Sequence, residues 1–352
     1  INPLASAPYL PRIFTAFQIA FIYIGKTFVP WNLSASYHFN QLPLVTNLFD
    51  SWQAVSGLAM MLLLVFLSFF NRTRVTAISL GAISFLVPYI VISKIIFKGG
   101  DILAERWMYF PSVGLSIIGG YLVYLLFIRA RWLGLAILAV VIGIYTPVLV
   151  DRNKVWLSEE SLRQSMVETA PRSIQGYSGL AYFYKENNLI NKAKQAAEKA
   201  YGIYDKHPPL LNTVGDLAVL EGEYALAESY YFQAIEAAPF MTLSYQNLAK
   251  LYFLLGRYEE SLALLKHLTT QWSQPRADNF IDLALVLSKL GRYEESFDTI
   301  NHTFGGDFSR PRVRLVLAIN YFKTGNMEEA RKYFDWDNTL NEAEKTRILR
   351  EF

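Results

Sequence analysis

The chain has 352 residues and no cysteine. That absence excludes disulfides, thiolate metal sites and a cysteine nucleophile. Histidine is scarce, and the sequence shows no His/Asp spacing of a metal site, no Ser–His–Asp arrangement and no glycine-rich nucleotide loop. No metal, no cofactor and no nucleotide-activated donor is expected. Acidic residues are nearly missing from the first part. Residues 1–150 hold three Asp/Glu against nine Lys/Arg, a net +6, whereas residues 151–352 hold 27 against 24, a net −3. The overall +3 averages a basic half with a mildly acidic one, and it gives no reason to expect a nucleic-acid partner. The opening "INPLASAPYLPR" is neither a signal peptide nor an initiator sequence, so the chain is expected to begin partway through a larger protein.

Apolar residues are abundant: 53% of the chain, with a mean hydropathy of +0.21. A helix needs about 20 apolar residues to cross roughly 30 Å of hydrocarbon. Runs at 52–70, 75–97, 112–128 and 133–150 meet this, and a fifth at 13–29 is interrupted by Gln18 and Lys26. Arg12, the "NRTR" loop (71–74) and "RARW" (129–132) put arginine in every other connection of these spans, and the positive-inside rule places all three in the cytoplasm. Loops 30–51 and 98–111, and everything after Val150, then face the other side. Lys94 and Lys98 flank an outer loop against that rule, which makes them candidates for holding an anion. The same loop, "GGDILAERWMYFPSVG" (99–114), sets Asp101, Glu105 and Arg106 beside Trp107, Tyr109 and Phe110.

Beyond residue 150 the sequence repeats. Small residues Ala181, Gly215, Ala249, Ala284 and Ala318 recur at intervals of 34 or 35, and Ala193, Ala227, Ser261, Ser296 and Ala330 follow the same intervals. A 34-residue period of two helices, with small residues where they cross, is the tetratricopeptide signature. Gly222, Gly256, Gly291 and Gly325 occupy the turns, and Pro171 and Pro239 end repeats. Five repeats are expected over roughly 174–338, after a half-repeat at 154–171 and before a capping helix at 339–352. Tyrosines at helical spacing are read as core. Such arrays form a concave surface, and Asn247, Lys250, Asp278, Asn279 and Asp282 are the candidate groove contacts for a protein or peptide.

Three segments carry a family resemblance. Residues 2–45, "LAERWMYFPSVG" (103–114) and "DRNKVWLSEESL" (151–162) resemble the central membrane segment, the outer-loop motif and the repeat junction of transmembrane and tetratricopeptide-repeat O-mannosyltransferases and their bacterial relatives. Trp107, Met108 and Phe110 depart from that family's loop. The resemblance implies an all-α fold: the C-terminal portion of a polytopic C-type glycosyltransferase-like membrane domain (1–150, about five spans), followed by an extracytoplasmic tetratricopeptide solenoid (151–352). It implies transfer of a sugar from a polyprenyl-phosphate carrier, a substrate rather than a cofactor, to a protein held by the repeats. The family's acidic catalytic residue is expected outside this chain, so the catalytic residue here is unknown.

Arg106 is then the leading ligand for the donor phosphate, because a guanidinium offers bidentate contact and keeps its charge. Lys94 and Lys98 are second cations, and Glu105, Tyr109 and His38 are candidate contacts to donor or acceptor. Against this stands a non-catalytic membrane-anchored scaffold that recruits proteins to a complex. An oligosaccharide ligase using a lipid diphosphate would share the topology. A bacterial inner membrane with periplasmic repeats is favoured over the endoplasmic reticulum.

Overall fold

The computed structural model describes residue 4 and residues 7–31, 33–34, 42–69, 76–97, 103–271 and 275–334. His38, Lys98, Asp101, the "NRTR" loop and the expected helix at 339–352 lie outside the described residues. The chain forms two compact units, Ile1–Asp205 and Lys206–Phe352.

The first unit begins with five helices at the five apolar runs: α1 (Tyr9–Phe28), α2 (Trp52–Phe69), α3 (Ala77–Ile92), α4 (Tyr109–Arg129) and α5 (Arg131–Val155). Among the described residues, three stretches are long and apolar enough to cross a membrane: Trp52–Phe69, Arg106–Arg129 and Arg131–Val155. The α3 helix is apolar but only 16 residues long, shorter than the run 75–97, because the chain turns at Ser93 and Lys94. Leu62, Leu63, Phe66, Val140 and Ile142 face outward. An apolar exterior of this extent matches lipid rather than water, and it gives the chain a membrane location.

Glycine and alanine bring these helices together. An added Cβ at Gly57 would collide with the Phe17 carbonyl, so α1 and α2 approach backbone to backbone. Gly81 of α3 and Gly114 of α4 face one another in the same way. Packing through small residues is the usual means of helix association where lipid gives no hydrophobic drive. The core between them holds Ile19, Tyr23, Phe85, Tyr89, Leu103 and Leu115.

The α5 helix continues past Val150 through Asp151–Lys154, and Arg152 Nη1 donates to Ser165 Oγ at 3.3 Å. Ser165 lies on α6 (Glu159–Thr169), which starts in a reciprocal Ser158–Ser161 capping box. The pair α7 (Ile174–Glu186) and α8 (Ile190–Ile203) completes the unit.

The second unit is built from four helix pairs: α9 and α10 (Pro208–Leu220, Tyr224–Ala237), α11 and α12 (Thr242–Leu254, Tyr258–Thr270), α13 and α14 (Ala277–Lys289, Tyr293–Phe304), and α15 and α16 (Pro311–Lys323, Met327–Phe334). Gly222, Gly256, Gly291 and Gly325 all have φ between +73° and +86°, a region costly for a side chain. Asn188 does the same work between α7 and α8, with φ +58°. Each turn closes identically. Leu189, Glu223, Arg257, Arg292 and Asn326 donate N–H to the carbonyls of Tyr184, Ala218, Tyr252, Leu287 and Tyr321 at 2.8–2.9 Å. The small residues are buried at the crossings, and Ser261 and Ser296 Oγ donate to the Ala249 and Ala284 carbonyls at 2.8 Å. Replacing Gly114 by valine should lower stability in detergent by about 1–3 kcal/mol, the usual cost of overpacking. Gly119→Ala, where an added Cβ meets nothing within 4 Å, should leave the thermal midpoint unchanged.

Candidate functional site

Two regions bring polar groups together. The first is at the α3–α4 connection. Leu103, Ala104 and Met108 point inward and are buried, while Arg106, Tyr109 and Phe110 are exposed. One hydroxyl fixes this loop. Tyr23, buried on α1, donates to the Ala104 carbonyl at 2.9 Å and accepts from the Ala104 N–H at 3.1 Å. Tyr89 on α3 stands edge-on to Tyr23 and donates to the Ala16 carbonyl at 2.5 Å. A tyrosine used in this way satisfies loop backbone that apolar surroundings would otherwise leave unpaired.

With the loop pinned, a 3-10 turn over Glu105–Met108 carries Trp107 against two cations. Lys94 Nζ lies 3.9 Å from the centre of the Trp107 ring, and the Arg106 guanidinium lies 5.8 Å from it. Lys94 is buried and adopts φ +64°, a strained backbone for a lysine, at the end of α3. Arg106 and Lys94 therefore meet at one ring, although 12 positions separate them. An aromatic face holds cations close by its quadrupole; here it gathers two positive charges at the mouth of an apolar bundle.

Tyr109 packs edge-on to Phe110 on the exposed side. The side chain of Glu105 lies outside the described residues. Lys26, one turn past Tyr23, donates to the Trp31 carbonyl at 3.4 Å, and Tyr145 of α5 donates to the adjoining Thr27 carbonyl at 2.6 Å. Arg12 differs from its sequence reading as a flanking charge. It is buried, its Nε and Nη1 have no hydrogen-bond partner, and its guanidinium lies 5.5 Å from the Tyr9 ring.

The second region is the set of first helices in the repeats. Asn247 donates to Asp216 at 3.0 Å and to Asn212 at 3.4 Å. Asp282 is ion-paired to Arg312 of the next repeat, Asp278 lies 3.6 Å from Arg276, and Lys250 is exposed. Asn279 is not a groove residue. It is 1% exposed and accepts from Gln246 at 2.5 Å between α11 and α13. It belongs to a ladder of buried polar links between successive first helices, with Asn212 to Ser244 at 2.8 Å and Ser288 to Asn320 at 2.5 Å. Buried amides persist only when bonded, so the ladder sets how neighbouring repeats sit. The sequence signal was an amide three positions before the small residue, as in Asn212 and Gln246.

Burial and the neighbouring Glu228 push the Tyr252 hydroxyl up to about 12. Among the described residues, no group of three or more His, Asp or Glu is placed to hold a metal ion.

This fold defines a class: an all-helical membrane protein that joins lipid-length helices to a tetratricopeptide solenoid. The tetratricopeptide-repeat model matches residues 242–268, which are α11 and most of α12. The chain is similar to the mouse protein O-mannosyl-transferase TMTC1, at 27% identity over 229 residues, 61% of this chain and 24% of that protein. It is also similar to human TMTC4 (25% identity; 49% and 23% covered) and to Drosophila melanogaster Tmtc2 (29%; 36% and 14%). The chain thus spans about a quarter or less of the length of these relatives. Among solved structures, PilW, a type IV pilus biogenesis factor, matches at 17% identity and TM-score 0.47, over 59% of this chain and 98% of that one. Pseudomonas aeruginosa pilF matches at 15% identity and TM-score 0.46, over 60% and 94%.

Removing the Tyr23 hydroxyl should strand both the Ala104 N–H and its carbonyl. Tyr23→Phe is expected to cost about 1–3 kcal/mol and to open the 103–108 loop, read as a lower thermal midpoint and faster amide exchange there.

Proposed function

We propose that the chain serves a membrane glycosyltransferase that moves a sugar from a polyprenyl-phosphate carrier to a protein held by the repeats. The observation that carries this reading is the convergence of Lys94 and Arg106 on Trp107 at the end of the apolar helices. In such a transfer an acceptor hydroxyl attacks the anomeric carbon and gives up its proton to a general-base carboxylate. The bond from that carbon to the phosphate oxygen breaks, and the carrier phosphate leaves with an added negative charge. Fixed cations at that oxygen stabilise the charge as it develops, most strongly where apolar walls keep the local dielectric low.

Arg106 is assigned to the phosphate, with Lys94 as its second cation and Tyr109 as a wall beside it. Lys98 and His38, on the flanking outer loops, are further candidates. The similarity to protein O-mannosyl-transferases supports a sugar-transfer chemistry, and the repeats supply an acceptor-holding surface.

Arg106 is exposed, and its substitution should cost the fold little, checked by an unchanged thermal midpoint. Arg106→Lys keeps the charge but loses the bidentate fork, and it should weaken binding of a polyprenyl-phosphate sugar by about 1.5–3 kcal/mol. Arg106→Ala should abolish binding by purified protein in detergent. Equal affinity of wild type and Arg106→Ala would remove the assignment and leave a membrane-anchored repeat scaffold as the reading.

We place the repeats and the Lys94–Arg106 site on the extracytoplasmic side, because Arg129 and Arg131 join α4 to α5. The cysteine-free chain makes the test clean. In intact cells an impermeant thiol reagent should label Gln233→Cys and spare Ala130→Cys, and the opposite pattern would invert the orientation.

A further inference from the structure

Among the described residues of the membrane half, three buried side-chain atoms have no hydrogen-bond partner: Arg12 Nε, Arg12 Nη1 and Gln18 Oε1. All three belong to α1. Arg12 is 6% exposed and shares the face of Ala16, Ile19 and Tyr23, so it continues the stripe of α1 that turns to the core. The first turn of α1 holds no acidic residue.

The depth of Arg12 follows from how α1 and α2 run past each other. Phe21 packs edge-on to Trp52 at 4.9 Å, Gln18 Nε2 donates to Gln53 Oε1 at 2.9 Å, and Phe17 stands against Gly57. The two helices are antiparallel and rise equally per residue. Arg12 therefore comes level with Met61 and Leu62, near the middle of the Trp52–Phe69 span. A guanidinium keeps its charge. A buried cation without a partner is costly, and ionisable groups at membrane depth pair with one another. Among the described side chains of residues 1–150, Asp50 is the one carboxylate. It is exposed and precedes Trp52, which is level with Phe21, about 14 Å along α1 from Arg12. A second copy in the same orientation carries Asp50 at that same wrong depth. A lipid phosphate stays at the headgroup level, half a span away.

We infer that α1 is the docking face for a further membrane helix that carries a carboxylate at mid-span, with Arg12 as its ion-pair partner. The inference rests on the membrane location and not on the sugar-transfer reading. Tyr9 and Leu10, in the turn before Arg12, are 59% and 60% exposed, and the Tyr9 ring lies 5.5 Å from the guanidinium. The partner helix seats over these two side chains. Its carboxylate takes the donors that this chain leaves unbonded, and the flexible stem of an arginine can present them without moving α1. A purely apolar helix lacks that contact, so Arg12 selects an acidic partner from the many apolar helices of a membrane.

The test uses the full chain in phosphatidylcholine vesicles, with a donor fluorophore on Ala130→Cys. The probes are three acceptor-labelled, lysine-flanked polyleucine helices of about 24 residues, with Glu, Gln or Leu at the centre. The Glu helix should associate about tenfold or more tightly than the Gln helix, the ratio for one charge-assisted contact. Arg12→Gln should erase that difference, and the Leu helix should associate least. Arg12→Met should raise the thermal midpoint of the chain alone, because methionine removes an unpaired buried charge. A lower midpoint would mean that this chain already satisfies the guanidinium, and it would overturn the inference. Equal association of the Glu and Gln helices with wild type would overturn it as well. If phosphatidylglycerol then raised the midpoint of wild type but not of Arg12→Met, Arg12 would answer a lipid phosphate instead.

Discussion

The Tyr23 hydroxyl, which both donates to and accepts from the Ala104 backbone, is the contact on which the membrane half depends. Helical backbone satisfies itself, but a connection that leaves the helices inside an apolar bundle does not. Tyr23 solves this for the 103–108 loop with a single side chain, and Tyr89 holds Tyr23's neighbourhood by bonding to the Ala16 carbonyl. With Leu103, Ala104 and Met108 fixed inward, the 3-10 turn leaves Arg106 exposed and sets the Trp107 ring beside Lys94 and Arg106.

The repeats rest on a different device with the same logic. Small residues at each crossing let the helices of a pair approach, and the ladder of buried amides and hydroxyls then fixes one repeat against the next. Apolar packing alone would tolerate sliding along the helix axis. A buried asparagine leaves little such freedom, since moving it strands a donor and an acceptor away from water. Asn320 shows the arrangement fully: its Nδ2 donates to Ser296 Oγ at 2.8 Å while its Oδ1 accepts from Ser288.

Both halves concentrate positive charge beside apolar surface. At the membrane end, Lys94 and Arg106 share one tryptophan. On the solenoid, Lys250 and Arg312 flank a cavity walled by Phe253 and Leu285. Apolar walls strengthen such a charge and exclude water from whatever answers it.

The five apolar runs, the 34-residue period, the crossing residues and the turn glycines were all legible in the sequence, because each is set by local chemistry. Spans need apolar length, crossings need small side chains, and a left-handed turn needs glycine. The sequence also singled out Lys94 and Arg106, one for breaking a charge rule and the other for its motif. It did not show that Trp107 joins them, that α3 stops at Ile92, or that Arg12 is buried. Nor did it separate Asn279, an interhelical tie, from Lys250, an exposed edge of the groove, since both are polar residues on first helices. Those distinctions depend on which neighbouring helix a side chain meets. Only the tertiary structure decides that, because a polar group's role is set by whether another segment desolvates it and supplies its partner.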